Sequence, residues 1–318
     1  MAIQVIHFEY QGQRRWGVAH GRMVDPLPGS FASTADFVRD GIELAQRSAR
    51  AQAVLPLDAV TLLSPITTDR QFVCQGINYA SHVRESGMDP DRIGFNTLFT
   101  KASSCLAAAD ADVLRPAHVR LLDYEIELGL VLRRPLTAAC EIGPDSLHEW
   151  LAGVTIVNDV SARDVQLPQA QFYKGKSYRT FGPAGPFLVL LSADEWRRWP
   201  ELHMRLCVNG QPRQDAYCGD MLFQPHQTLT ELSALQDLRP GDLIATGTPA
   251  GCAARAPGKL PMWVARHLLS EQGKWRMFID KGLSNRAYLQ PEDVMTATIR
   301  TDDGAIDLGQ QRNRIVAA

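Results

Sequence analysis

The feature that most restricts how this chain can fold is its succession of short apolar runs. Each is rich in β-branched residues and is closed by Gly, Pro, Asn or Asp. Gln71–Gln75, Glu125–Leu132, Val154–Val157, Phe187–Leu191, His203–Val208, Leu243–Ala245 and Val294–Arg300 are such runs. Segments of this length and composition read as buried strands rather than amphipathic helices. Asn209-Gly210, directly after one of them, suits a two-residue hairpin turn. Helical candidates are few: Ser146–Ala152, Leu229–Ala234 and Pro261–Ser270. The expected class is mostly β with peripheral helices (α+β), without repeats or low-complexity tracts.

Residues 3–27 alternate apolar and polar about Gln11-Gly12-Gln13, which predicts a hairpin. Ser33-Thr34-Ala35-Asp36 can cap a helix running to about Arg50, with Phe37, Ile42, Leu44 and Ala45 on its apolar side. Pro56 and Pro65 punctuate the next stretch of chain. Residues 1–65 therefore read as a small N-terminal α/β module, and residues 66–318 as the main domain.

Composition narrows the function. Of 318 residues 45% are apolar and 21% charged, with a net charge of −2. That balance gives ample core and no basic surface for nucleic acid. The N-terminus lacks the pattern of a signal peptide, and no apolar stretch reaches membrane-spanning length. Six cysteines, at 74, 105, 140, 207, 218 and 252, show no CxxC or CxxH spacing. They read as reduced, mostly buried thiols of a cytoplasmic protein.

The densest chemistry lies in Asp123-Tyr124-Glu125-Ile126-Glu127-Leu128-Gly129. On a strand, side chains two apart share a face. Glu125 and Glu127 then point together while Ile126, Leu128 and Leu130 enter the core. A solvated strand face is the plain alternative. Gly129 and the apolar continuation argue for burial on both faces, and two buried carboxylates need compensation. A hard divalent cation such as Mg²⁺, Mn²⁺ or Ca²⁺ suits them. Asp159, in Val157-Asn158-Asp159, offers a third oxygen ligand at the end of an apolar strand, unless Asn-Asp is simply a turn. In GINYASHVRE a helical turn would make His82 and Glu85 neighbours, either as a surface pair or as a base with its carboxylate. Lys174-Gly175-Lys176 offers cations in a glycine-containing loop. Thr246-Gly247-Thr248-Pro249-Ala250-Gly251 reads as a tight turn whose N–H groups and hydroxyls could hold a carboxylate.

In order along the chain, GINYASHVRE, FTKASS, DYEIELG, NDVSARDVQ, KGKSYRTFGPAGP, VNG and LRPGDLIATGTPAG resemble the fumarylacetoacetate hydrolase family. The likeness spans roughly residues 66–251 and returns more weakly at YLQPEDVMTATI. It implies a mixed β-sandwich roll, usually a homodimer, and a Mg²⁺ or Mn²⁺ site in each catalytic domain, with Ca²⁺ able to take its place in crystals. By motif, Glu125, Glu127 and Asp159 would be the metal ligands. His82 would be the base or part of a lid, oriented by Glu85. Lys176 would face a substrate oxygen, Arg163 and Gln166 would bind the oxo-acid end, and Thr248 and Tyr79 would complete the substrate contacts. The implied activity is C–C bond cleavage in a 2,4-dioxo acid of the acylpyruvate or fumarylpyruvate type. The same motifs suit an oxaloacetate decarboxylase or tautomerase, or an isomerase or hydratase of an aromatic-degradation product. Two departures stand out. Gln75 occupies the place of an additional aspartate of eukaryotic-type members, which points to three carboxylates. Residues of about 252–287 form an insertion carrying Lys259, Arg266, Lys274, Arg276, Lys281 and Arg286, expected to line the pocket, extend an interface or lie in solvent.

Overall fold

The computed structural model describes residues 2–48, 54–255 and 270–318, and its strands follow the apolar runs. Phe72–Gly76, Ile126–Leu132, Leu188–Leu190, His203–Val208, Leu243–Ala245 and Val294–Arg300 are all strands. Gln11-Gly12 and Asn209-Gly210 form the two expected hairpin turns, both residues of each having positive φ. That conformation matches the right-handed twist of the flanking strands.

The helices depart from the sequence pattern in informative ways. Ser33 caps the first helix by accepting from Asp36 N, and the helix runs to Ser48 through a π-helical segment, Phe37–Gly41. Its expected end at Arg50 lies outside the described residues. The helix expected over Ser146–Ala152 is one turn, Leu147–Trp150; Leu151 and Ala152 begin a strand instead. Pairing of Leu151 with Leu132 overrides their helical propensity. The Leu229–Ala234 helix is longer, Pro225–Leu235, because Pro225 is pre-set for a first helical position. Pro261–Ser270 lies outside the described residues except for Ser270, which caps a further helix, Glu271–Leu283.

Among the described residues, eleven strands join in one sheet. Its path runs Leu55–Pro56, Met23–Pro26, Gln13–His20, Ile3–Tyr10, Leu188–Leu190, Leu151–Asn158, Ile126–Leu132, Leu243–Ala245, Phe72–Gly76 and Thr97–Lys101, with Thr61–Leu63 beside Ile3–Tyr10. The N-terminal hairpin thus joins the central strands through the Ile3–Leu190 pair. A five-stranded sheet orders Gln211–Tyr217, His203–Val208, Val294–Arg300, Asp307–Ala317 and Val113–Arg115. Gln311 ties the two together, its Nε2 donating to the carbonyls of Ile156 and Pro183 at 2.9 and 3.1 Å.

Ile126–Leu132 lies between Leu151–Asn158 and Leu243–Ala245 and is buried along its whole length. A Cβ at Gly129 would stand 2.7 Å from Val157 Cγ2 and 2.9 Å from Thr155 Cγ2. The face that carries Glu127 is therefore packed, as the apolar continuation of its strand led one to expect. Burial here falls on carboxylates as well as on leucines, and that defines the site.

Candidate active site

The strand Ile126–Leu132 opens at Glu125, and Leu151–Asn158 ends just before Asp159. Two hydrogen bonds lock these ends together: Asp159 N donates to Glu125 O at 2.8 Å, and Glu125 N donates to Asn158 Oδ1 at 3.1 Å. Glu125, Glu127 and Asp159 are all buried, with ligand oxygens within 4.8 Å of one another. The two-residue period extends one step back to buried Asp123, which sequence reasoning missed.

Three buried cations balance these charges. Lys176 Nζ donates to Glu125 Oε2 and Asp159 Oδ2, each at 2.6 Å. Lys101 Nζ donates to Asp159 Oδ1 at 2.6 Å and Phe181 O at 2.7 Å. Arg163 donates to Asp123 Oδ2 at 2.8 Å, Glu125 Oε1 at 2.5 Å and Gln166 Oε1 at 2.9 Å. Lys101, the lysine of FTKASS, is a second member that sequence reasoning missed. Its signal is a lysine ending an apolar strand, where a solvated side chain is not expected. Lys176 is not in a loop: Phe172–Lys176 is helical, and Gly175 lies where a Cβ would meet the backbone of Gln166 at 2.7 Å. Lys174 points away to Gln169.

Burial alone would raise the carboxyl of Glu125, yet Arg163 and Lys176 outweigh it and hold the group at about 2. Glu127 goes the opposite way. Burial and then the charges of Asp159 and Glu125 push it well above the ordinary carboxylate range, against the charge of Lys176 and one backbone N–H from Gly247 at 2.8 Å. Among the described residues, four buried carboxylates thus share this network with three buried cations, and the excess negative charge is felt at Glu127. Such a donor set fits a divalent cation held by oxygen.

The expected tight turn forms, but the carboxylates it holds belong to the protein. Gly247 N holds Glu127, and Gly251 N donates to Glu85 Oε2 at 2.8 Å. Thr248 donates to Ile126 O and accepts from Gln214, so its hydroxyl proton is already used. Gly251 has φ +109°, and a Cβ there would lie 2.0 Å from Arg213 O, so glycine is required.

His82 and Glu85 share the helix Ala80–Glu85. Glu85 contacts Gly251 N and faces Arg255 at 3.5 Å rather than bonding to the imidazole. His82 Nδ1 is shut off from solvent with no hydrogen-bond partner among the described residues. Burial lowers the His82 pKa; Glu125, Glu85 and Asp123 raise it less, and Arg163 adds to the lowering. The imidazole is thus biased towards neutrality.

A cavity of about 1020 Å³ brings most of the expected residues together. His82, Glu125, Glu127, Arg163, Gln166, Lys176 and Thr248 line it. Tyr79 does not. Its ring is fully buried, and its hydroxyl turns to Met204 Sδ at 3.7 Å. It caps the His82 helix from the core side, so a direct substrate contact does not fit its placement. Gln75 donates to Asn96 and Thr228 and adds no fourth acid to the triad. The six cysteines are free thiols, and no helix among the described residues is long and apolar enough to cross a membrane.

Residues 71–316 match the fumarylacetoacetate (FAA) hydrolase C-terminal family. The mitochondrial oxaloacetate tautomerase Fahd2a of Rattus norvegicus is 30% identical over 239 residues, covering 74% of each chain. Among solved structures, the fumarylacetoacetate hydrolase of Exiguobacterium antarcticum is 29% identical with a TM-score of 0.70, covering 99% of this chain and 100% of that one. A probable 2-hydroxyhepta-2,4-diene-1,7-dioate isomerase from Mycobacterium abscessus is 27% identical with a TM-score of 0.72, covering 100% and 99%.

Proposed function

The chain belongs to the fumarylacetoacetate hydrolase family, and from that premise we propose that it is a divalent-metal-dependent enzyme cleaving the C–C bond of a 2,4-dioxo acid of the acylpyruvate type. The products are pyruvate and a carboxylic acid. One observation carries this reading: Glu125 and Glu127 of the buried carboxylate triad line the same cavity as an unpaired, neutral-biased imidazole.

Glu125, Glu127 and Asp159 would hold Mg²⁺ or Mn²⁺, which supplies Lewis-acid polarisation of the 2-oxo acid when bound. The chain's own groups do the rest. His82 takes a proton from water on its imidazole ring as the water adds to the distal carbonyl. Glu85 and Glu125 offset the positive charge that the imidazole gains. Lys176, held between Glu125 and Asp159, presents a cation to the oxygen on which negative charge develops. Arg163 and Gln166, bonded to each other at the cavity wall, receive the carboxylate end. Pyruvate leaves as its enolate and is protonated at carbon.

A second reading has specific support in the likeness to the rat oxaloacetate tautomerase. There the same base would move a proton between carbon and oxygen without activating water. The two separate in a panel of acylpyruvates, oxaloacetate and hydroxymuconate-type acids assayed with Mg²⁺ and with Mn²⁺. An acylpyruvate preferred over oxaloacetate by at least about tenfold in kcat/KM, about 1.4 kcal/mol, supports hydrolysis. The reverse preference transfers the assignment to tautomerase or decarboxylase chemistry. The working assembly on this reading is a homodimer, which sedimentation equilibrium tests.

A further inference from the structure

We propose that the cavity has a distinct apolar half that selects an uncharged alkyl or aryl group on the part of the substrate remote from the carboxylate triad. The inference rests on the proposed 2-oxo acid chemistry and adds the character of the substrate's far end.

The insertion was expected to be basic, but its helix Glu271–Leu283 contributes Trp275, Met277 and Phe278 to the cavity. Positions 274, 275, 278, 281, 282 and 285 recur at helical spacing, so one face of the segment is directed inward. That face is fixed in place. Gly282 sits where a Cβ would stand 2.6 Å from Leu121 Cδ1. Asn285 Nδ2 donates to Ala253 O at 3.0 Å, two residues beyond the turn glycine Gly251. Leu121 in turn accepts from Arg163 N at 2.9 Å, so the helix is braced on the backbone that carries the polar site.

Trp275 and Phe278 meet edge to face with centroids 6.1 Å apart. Phe99 and Phe172, which also line the cavity, pack 5.0 Å apart. Lys176 Nζ lies 5.4 Å from the centre of the Phe99 ring, so aromatic surface begins directly beside the triad. The cavity thus joins the buried charged groups to aromatic surface, through Phe99 beside Lys176 and through Trp275 and Phe278 on the helix, a lining that can orient one end of a ligand and desolvate the other.

The cations argue against a second carboxylate. Arg163 and Lys176, already paired with Asp123, Glu125 and Asp159, are assigned to the oxo-acid end, Lys274 is engaged by Glu271 at 2.6 Å, and Arg255 faces Glu85 at 3.5 Å. Among the described cavity residues only Lys281 has no such carboxylate, and it is exposed on the helix. Among the described residues, a distal carboxylate would have to displace an existing ion pair or rely on that one solvated lysine, while losing its own hydration. A butyl or phenyl group meets neither cost and gains apolar burial.

Calorimetric titration of the Mg²⁺-loaded protein with pyruvate, 2-oxohexanoate, phenylpyruvate and 2-oxoadipate tests this without depending on turnover. The two apolar ligands are expected to bind at least about tenfold more tightly than pyruvate, and 2-oxoadipate no more tightly than pyruvate. Phe278→Ala and Trp275→Ala should reduce the phenylpyruvate-to-pyruvate affinity ratio towards one, whereas Phe278→Leu should keep most of it. Equal binding of all four ligands, or a preference for 2-oxoadipate, overturns the apolar subsite and leaves the 2-oxo acid reading standing. Failure of all four to bind overturns both.

Discussion

At the residue scale the site is an arrangement of opposed charges in which Glu127 is the unsatisfied member. Its carboxyl is raised on folding, so the metal-free fold is favoured while the group is protonated and loses stability as pH rises from the unfolded value of 4.5 through the higher folded one. Glu127→Gln should abolish that loss and weaken Mg²⁺ binding by at least about tenfold, since one anionic ligand is gone. Thermal melts from pH 5 to 8 in EDTA, with calorimetric Mg²⁺ titration, check both; wild-type affinity in the variant removes Glu127 from the metal set. His82 is displaced in the opposite sense to a paired histidine. Burial lowers its pKa from 6.5, so the neutral base is already the major form at neutral pH. The acid limb of kcat/KM should therefore lie below 6.5. Glu85 raises the His82 pKa, so Glu85→Gln should move that limb further down. A limb at or above 6.5, or one that Glu85→Gln moves upward, contradicts the role of His82 as base.

At the element scale the site depends on strands ending in register. Ile126 pairs with Asn158 and Glu127 with Val157, so Glu125 and Asp159 emerge together from neighbouring strands. The Thr246–Gly251 segment continues this edge, with Thr246 and Thr248 both bonding to carbonyls of Ile126–Leu132. Gly251→Ala should be disruptive, because positive φ and the 2.0 Å approach to Arg213 O leave no place for a methyl group. Backbone strain of this kind costs about 1–3 kcal/mol before the clash is counted. Denaturant unfolding should show that loss, and Mg²⁺ affinity should fall less than in Glu127→Gln, since Gly251 holds Glu85 rather than a triad member. The sequence revealed these strands because β-branched runs and Asn-Gly turns are local signals. It revealed the helices less well: the Leu147–Trp150 helix stops early because sheet pairing claims Leu151, and Lys176 is helical because Gly175 can lie on Gln166.

At the scale of the molecule, the excess charge means that a divalent cation bound at the three acids would stabilise the fold. A ligand specific for the folded state at a hundred times its Kd adds about 2.7 kcal/mol. Mg²⁺ should accordingly raise the wild-type Tm by a few degrees, and the rise should shrink in Glu127→Gln; differential scanning calorimetry with Mg²⁺ and with EDTA reads both. An unchanged Tm in the wild type under saturating Mg²⁺ would argue against an oxygen site built from these three acids.

The sequence by itself determined where strands and hairpin turns form, and that Glu125 and Glu127 share a face, because side-chain alternation and turn chemistry act over a few residues. It also carried the ordered motifs of the family. Only the tertiary structure decided who meets whom. It brought Lys101 to Asp159 across 58 residues, and placed Lys176 between two acids from different strands. It gave the N–H groups of the Thr246–Gly251 turn to Glu127 and Glu85 instead of a substrate, and withdrew Tyr79 into the core. It also set Trp275 and Phe278 from the described part of the insertion against the cavity beside Lys274 and Lys281. Ion pairing, desolvation and cavity shape depend on which distant strands become neighbours, and no local period in the chain encodes that.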